Sequence, residues 1–172
     1  MFSYNKHRVF STPFLKRVKR MGFTFVDRII EMKPGKSIRA KKHILENEEI
    51  FEVHYPGFPA VPGTFLTEMM AQTAGKCLDA EKKPRGMAML ARIKSAAFRQ
   101  YVGPSKTLVI SGEIVNNRSN VATAVCTIEM ENKKICTAEL LFAFVAFDKL
   151  DPAFRDEVLE SYLSKNSGQG DF

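Results

Sequence analysis

FEVHYPGFPAVPGTFLTEMMAQTAGKCL, residues 51–78, is the stretch around which the rest of the chain is read. It carries a histidine, His54, then a loop with three prolines and two glycines between positions 56 and 63. Such a segment is stiff and tightly turning. A helix is expected from about position 64 to 82. Its apolar residues Phe65, Leu66, Met69, Met70, Ala74 and Leu78 fall on all sides, the mark of a buried helix. One acid, Glu68, interrupts its first turns. A buried carboxylate is costly unless paired, and burial favours its protonated form. Alone, such a glutamate would be read as satisfied by a neighbouring lysine or by solvent. The histidine and the Pro/Gly loop upstream favour chemistry instead.

The loop delivers Gly63 and Thr64 to the helix N-terminus. There, backbone N–H groups lack intrahelical partners, and the helix dipole favours a developing negative charge. Glycine also admits a ligand close to the backbone. A histidine, an acid and an oxyanion-type pocket are the parts needed to remove a proton alpha to a carbonyl and expel a leaving group.

HYPGFPAVPG followed by EMMAQ resembles the 3-hydroxyacyl-[acyl-carrier-protein] dehydratases of type II fatty acid synthesis, whose pattern runs His-Phe-Pro-Gly, Pro-rich loop, Pro-Gly, Glu-Ala-Met-Ala-Gln. FVDRII at 25–30, Asn47-Glu48 and the segment 98–104 extend the similarity over about residues 22–147. The resemblance implies the hotdog fold, an antiparallel sheet around one helix; the residue pattern alone supports only α+β. It implies dehydration of (3R)-hydroxyacyl thioesters on acyl carrier protein to trans-2-enoyl thioesters. His54 would remove the alpha proton and Glu68 would protonate the departing hydroxyl. The Gly63 N–H would polarise the thioester carbonyl, and Gln72, one turn after Glu68, would orient its carboxylate. Pro56 and Gly57 shape the loop. No metal or organic cofactor is implied. The family draws the histidine and glutamate of one site from two subunits, which implies a homodimer, often built into a trimer of dimers. Related enzymes that also isomerise the double bond carry Asp at the Glu68 position, so Glu favours dehydration alone.

The chain departs from this pattern. Val53 replaces a glycine before the histidine. Ser105 and Lys106 replace Gly-Asp in a turn, reversing a charge. Ala88 and Met89 stand where aromatics are common, and Arg92 and Lys94 replace Gly and Asp. The acyl pocket and the pathway are thus expected to differ from housekeeping synthesis. A hotdog thioesterase and a non-catalytic acyl-binding assembly subunit are the alternatives. The first would need a water-activating site, and the second would be marked by loss of His54 or Glu68, both of which are present.

At 172 residues and 45% hydrophobic, one domain with a real core is expected, divided into a basic segment 1–21, a dehydratase domain 22–150, and a C-terminal helix with a disordered tail, 151–172. Cys77, Cys126 and Cys136 are odd in number, lack metal-ligand spacing and lie among apolar residues, so buried thiols in a reducing compartment are expected. No apolar run is long enough to span a membrane, so no membrane insertion is expected. The net charge is +7, of which Lys6, Arg8, Lys16, Arg17, Lys19 and Arg20 supply +6. A transit peptide, a nucleic-acid arm and a basic face for an acidic carrier protein compete for this segment. The carrier-protein face is preferred, because no nucleic-acid motif accompanies the charge. A cytoplasmic location follows, or an organelle if the segment is a transit peptide.

Strands are expected at 23–32, 37–45, 87–93, 107–115, 121–130 and 134–147. Positions 33–36, 116–120 and 131–133 read as turns, and 46–51 as an acidic helical or turn segment. Ile38 and Ala40 should share one face, with Ile44 a candidate third. His43 reads as a surface or structural histidine. Asp151-Pro152 should start a last helix running to about position 163, with Phe154, Val158, Leu159 and Tyr162 as its apolar stripe.

Overall fold

The computed structural model describes residues 24–54, 57–81, 85–151 and 155–166. The basic N-terminal segment, Pro56, Pro152, Phe154 and the last six residues lie outside them.

Alternation of apolar and polar residues every second position builds the sheet. On strand β5 (Val121–Met130), Ala122, Ala124, Cys126, Ile128 and Met130 are buried. On β6 (Lys133–Val145), Cys136, Ala138, Leu140 and Phe142 point the same way. On β4 (Thr107–Asn117) it is Leu108 and Ile110, and on β2 (Ser37–His43) Ile38 and Ala40. With β1 (Arg28–Lys33) and β3 (Met87–Phe98) they form one antiparallel sheet of six strands, ordered β1-β2-β4-β5-β6-β3. A two-residue turn joins β5 to β6. Glu131 and Asn132 both adopt positive φ, 53° and 61°, as the right-handed twist of a tight hairpin requires.

The sheet wraps a central helix, α2 (Gly63–Asp79), which follows a short helical turn α1 (Ile50–Val53). Leu66, Met69, Met70, Ala74 and Leu78 of α2 are each at most 2% exposed and fill the core. Burial on this scale is what holds helix to sheet. Removing one such side chain to alanine costs about 2–5 kcal/mol. The buried hydroxyls of Thr67 and Thr73 donate back to the carbonyls of Gly63 and Met69, so no polar group is stranded there. Gly112 of β4 lets the helix approach. A Cβ at that position would sit 3.3 Å from Ile38 and 3.6 Å from Ala74.

A last helix, α3 (Glu157–Asn166), packs against β1. Its Leu159, Val158 and Tyr162 join a second cluster with Ile29, Ile38 and Cys77. This helix starts later than the sequence suggests. Asp156, not Asp151, caps it by accepting the Leu159 N–H at 3.1 Å. Residues 164–166, expected in a disordered tail, belong to the helix. Strand β3 is also longer than expected. Residues 94–98, beyond the expected end at 93, continue it, carried past irregularities of register at 90/92 and 93/95. No helix among the described residues is long and apolar enough to cross a membrane. The three cysteines are buried and unbridged, and burial pushes their thiols up to about 11, 12 and 11 for Cys77, Cys126 and Cys136.

Candidate active site

Helix α2 begins where the Pro/Gly loop ends. Pro62, with extended backbone, stands before Gly63, and the Pro62 carbonyl takes the N–H groups of Phe65 and Leu66. The loop is tied down at Val61, whose N–H donates to Val102 at 2.8 Å. Gly63 has a packing reason to lack a side chain: a Cβ there would lie 3.2 Å from the Phe98 ring. Its N–H is in the first helical turn, where no intrahelical carbonyl is available to it.

His54 follows α1 and is half-buried. Its backbone N–H donates to Ile50 at 2.9 Å. Its Nδ1 lies 3.3 Å from the Ala60 carbonyl oxygen. A carbonyl accepts only, so this contact selects the tautomer with the proton on Nδ1 and leaves Nε2 as the basic atom. The loop that Gly57 opens, at φ +81°, thus orients the histidine through Ala60. Tyr55 and Pro56, which complete the link, lie outside the described residues.

Glu68 is half-buried on α2. Gln72, four residues on, donates from Nε2 to Glu68 Oε1 at 3.0 Å. The other end of that amide is also held. Its Oε1 accepts the Phe25 N–H at 2.9 Å. Phe25 in turn packs edge-on against Phe65, centroids 5.1 Å apart. A fixed backbone amide therefore sets the flip of Gln72, and Gln72 presents a donor to the carboxylate. The sequence placed Gln72 on the correct face but gave no sign of Phe25 as its second partner.

Glu68 and Gln72 line a cavity of about 740 Å³ beside α2. Ala71, Gly75, Ala88, Leu90 and Phe142 give it apolar walls. Lys76, Asp79, Arg155, Asp156 and Glu157 also border it. His54 is not part of its lining, so within one chain the two expected site residues do not meet in this cavity. The sequence reading does not single out Lys76, Asp79 or Asp156. The signal was available: Gln72, Gly75, Lys76 and Asp79 follow Glu68 at +4, +7, +8 and +11, one helical stripe. Among the described residues no group of histidines, cysteines and acids could hold a metal ion.

The departures noted in the sequence have structural counterparts. Ser105 sits at φ +57°, a conformation that glycine adopts without strain. Lys106 donates to Glu131 at 2.7 Å, an exposed pair that raises the lysine and lowers the glutamate from their ordinary values. Lys94 pairs with Glu139 on the neighbouring strand at 2.7 Å. His43 is exposed, its ring 3.1 Å from the Thr107 hydroxyl, in line with a surface role.

A family model described as a FabA-like domain matches residues 18–139. The 3-hydroxyacyl-[acyl-carrier-protein] dehydratase FabZ of Levilactobacillus brevis is 39% identical over 130 residues, covering 75% of this chain and 88% of that protein. The FabZ of Listeria monocytogenes is 33% identical over 135 residues, covering 75% and 94%. Solved structures show the fold at lower identity. An uncharacterised protein from Pyrococcus horikoshii superposes with TM-score 0.58 at 14% identity, over 74% of this chain and 88% of that one. The PaaI protein of E. coli gives 0.56 at 10%, over 67% and 81%. The sheet wrapped on one helix is the hotdog fold that the family resemblance implies, and this chain belongs to the FabA-like family of 3-hydroxyacyl-[acyl-carrier-protein] dehydratases.

Proposed function

We propose that this enzyme dehydrates 3-hydroxyacyl chains carried on acyl carrier protein, in fatty acid or related acyl-chain synthesis. One observation carries the reading: Glu68 is held by Gln72, which is itself locked to the Phe25 backbone, at the edge of an apolar-walled cavity in a FabA-like fold. His54 Nε2 takes the proton alpha to the thioester. The electron pair moves toward the carbonyl oxygen, where the Gly63 N–H and the helix dipole stabilise the charge. As the double bond forms, Glu68 gives its proton to the 3-hydroxyl, which leaves as water. The product is the 2-enoyl thioester. The Glu, in place of Asp, fits dehydration without isomerisation.

The site is assembled from two chains in this proposal. Within one protomer His54 is not in the lining of the cavity that Glu68 borders, and β3 ends the sheet with one free edge. That strand exposes Met89, Leu90, Ile93 and Phe98, an apolar edge that a second copy would cover by continuing the sheet. Assembly of three such dimers belongs to the same proposal. So does a cytoplasmic location, for which the unbridged buried cysteines argue. Residues 22–150 are the dehydratase unit, to which α3 is appended.

The test is an assay of dehydration and of the reverse hydration on carrier-linked 3-hydroxyacyl and 2-enoyl chains, with His54→Ala and Glu68→Gln beside wild type. Turnover that collapses in both folded variants supports the assignment. A folded wild-type dimer with no turnover on any carrier-linked chain overturns it and favours an acyl-binding subunit. Release of free acid instead would favour a thioesterase.

A further inference from the structure

The cavity beside Glu68 has two unlike ends. Near Glu68 it is bounded by the Gln72 amide. Its walls, Ala71, Gly75, Ala88, Leu90 and Phe142, are apolar. Two helical turns beyond Glu68, about 12 Å at 1.5 Å per residue, lies Lys76. This lysine is only 7% exposed and its ammonium is paired with Asp156. Asp79 stands one turn further and accepts the Ala88 N–H at 2.7 Å.

Asp156 brings a second element to this end. It caps α3 through Leu159, and its carbonyl accepts the Glu160 N–H at 2.9 Å. Lys76 therefore fixes where the first turn of α3 sits, and that turn closes the cavity with Arg155, Glu157 and Val158. All of α3 lies outside residues 18–139, the part matched by the family model.

We propose that the Lys76–Asp156 ion pair is the end wall of the acyl cavity and sets the longest chain the enzyme accepts. The proposal rests on the dehydratase reading and adds a substrate class to it: acyl chains that end before the pair. An apolar chain terminus pressed against the pair would strip water from the Asp156 carboxylate, whose side chain is still 23% exposed, and offer it no hydrogen bond, which is costly. A shorter chain leaves that hydration in place. On the other flank, Ala88 and Met89 stand where the resemblance leads one to expect aromatics.

The experiment is a chain-length profile of kcat/KM on carrier-linked 3-hydroxyacyl substrates, for wild type and for Lys76→Met/Asp156→Asn. The double change removes both charges together, which spares the fold the unpaired charge a single change would leave. Asparagine also keeps the cap of α3. Wild type should lose about tenfold or more between short and long chains, and the double variant should regain at least about tenfold in the long-to-short ratio. Gly75→Ala should act in the opposite sense. A Cβ at that position meets nothing closer than the Ala88 carbonyl at 3.7 Å, so the added methyl fits and narrows the cavity nearer Glu68. If the double variant does not fold, the profile of the Gly75 variant carries the test. A profile that stays put in the folded variants overturns the end wall while leaving the dehydratase reading intact. A wild type equally active on short and long chains overturns it as well. Absence of turnover on every chain length removes both.

Discussion

The two ends of helix α2 each present a carboxylate to the same cavity, and the environments differ. Glu68, in the second turn, receives its hydrogen bond from a side-chain amide that is itself anchored, and the stiff loop with His54 lies upstream. Asp79, at the last turn, receives the backbone N–H of Ala88 and holds the start of β3. Burial and the nearby Asp156 push Asp79 up to about 6, against the pull of Ala88 and Lys76. One acid is oriented by groups that could let it exchange a proton with a ligand. The other is part of a structural joint that ties helix, strand and appended helix together. A carboxylate in a cavity is therefore not enough to name a catalytic acid; what holds it decides.

The comparison breaks most visibly at Glu68. Glu68→Gln should lower kcat by about 10²–10⁴ with the fold retained, measured by single-substrate kinetics and thermal melting. Gln72→Ala should cost less, about 10–100-fold in kcat with KM on a short substrate little changed, because it removes an orienting donor and not the proton. Gln72→Glu sharpens the point. A second carboxylate against Glu68 should move the pH–rate profile toward higher pH, a shift that a merely structural loss would not produce.

At the other end the readout is stability. Asp79 has a raised folded value, so the folded state binds the extra proton more tightly than the unfolded chain. Stability should fall as pH rises from about 4 through about 6 and level off above. Asp79→Asn keeps the acceptor for Ala88 and removes the charge. It should flatten that slope and raise stability at pH 8 by roughly 1–2 kcal/mol, read by denaturant unfolding across pH. The smallest effect is expected at Ser105. Ser105→Gly should stabilise by about 0.5–1 kcal/mol, net of glycine's greater freedom when unfolded.

The sequence disclosed the parts whose local signals agree. Helix α2 is apolar around most of its girth, β2, β4, β5 and β6 alternate, and the His54 to Glu68 spacing marks the family. What it concealed depends on partners distant in the chain. Asp151-Pro152 looks like a helix start, yet Asp156 is the cap because Lys76, 80 residues away, pairs with it. The far half of β3 reads KSAAF, without alternation, because an edge strand with shifted register has no single buried face to advertise it. The second end of the cavity is written in the helical stripe through Lys76 and Asp79, but the histidine and the Pro/Gly loop that give an acid its meaning lie beside Glu68 alone. The substitution at Ser105 was visible as a letter; its positive φ was not.

The most direct test of a site shared between two chains is complementation. His54→Ala and Glu68→Gln chains, each inactive alone, are unfolded and refolded together or co-expressed with separate tags, and the mixed dimer is isolated and assayed on carrier-linked 3-hydroxyacyl substrate. A mixed dimer holds one intact His54–Glu68 pair only if the pair is formed across the interface. The account predicts about half of wild-type turnover per mixed dimer. A mixed dimer as inactive as its two parents would contradict it.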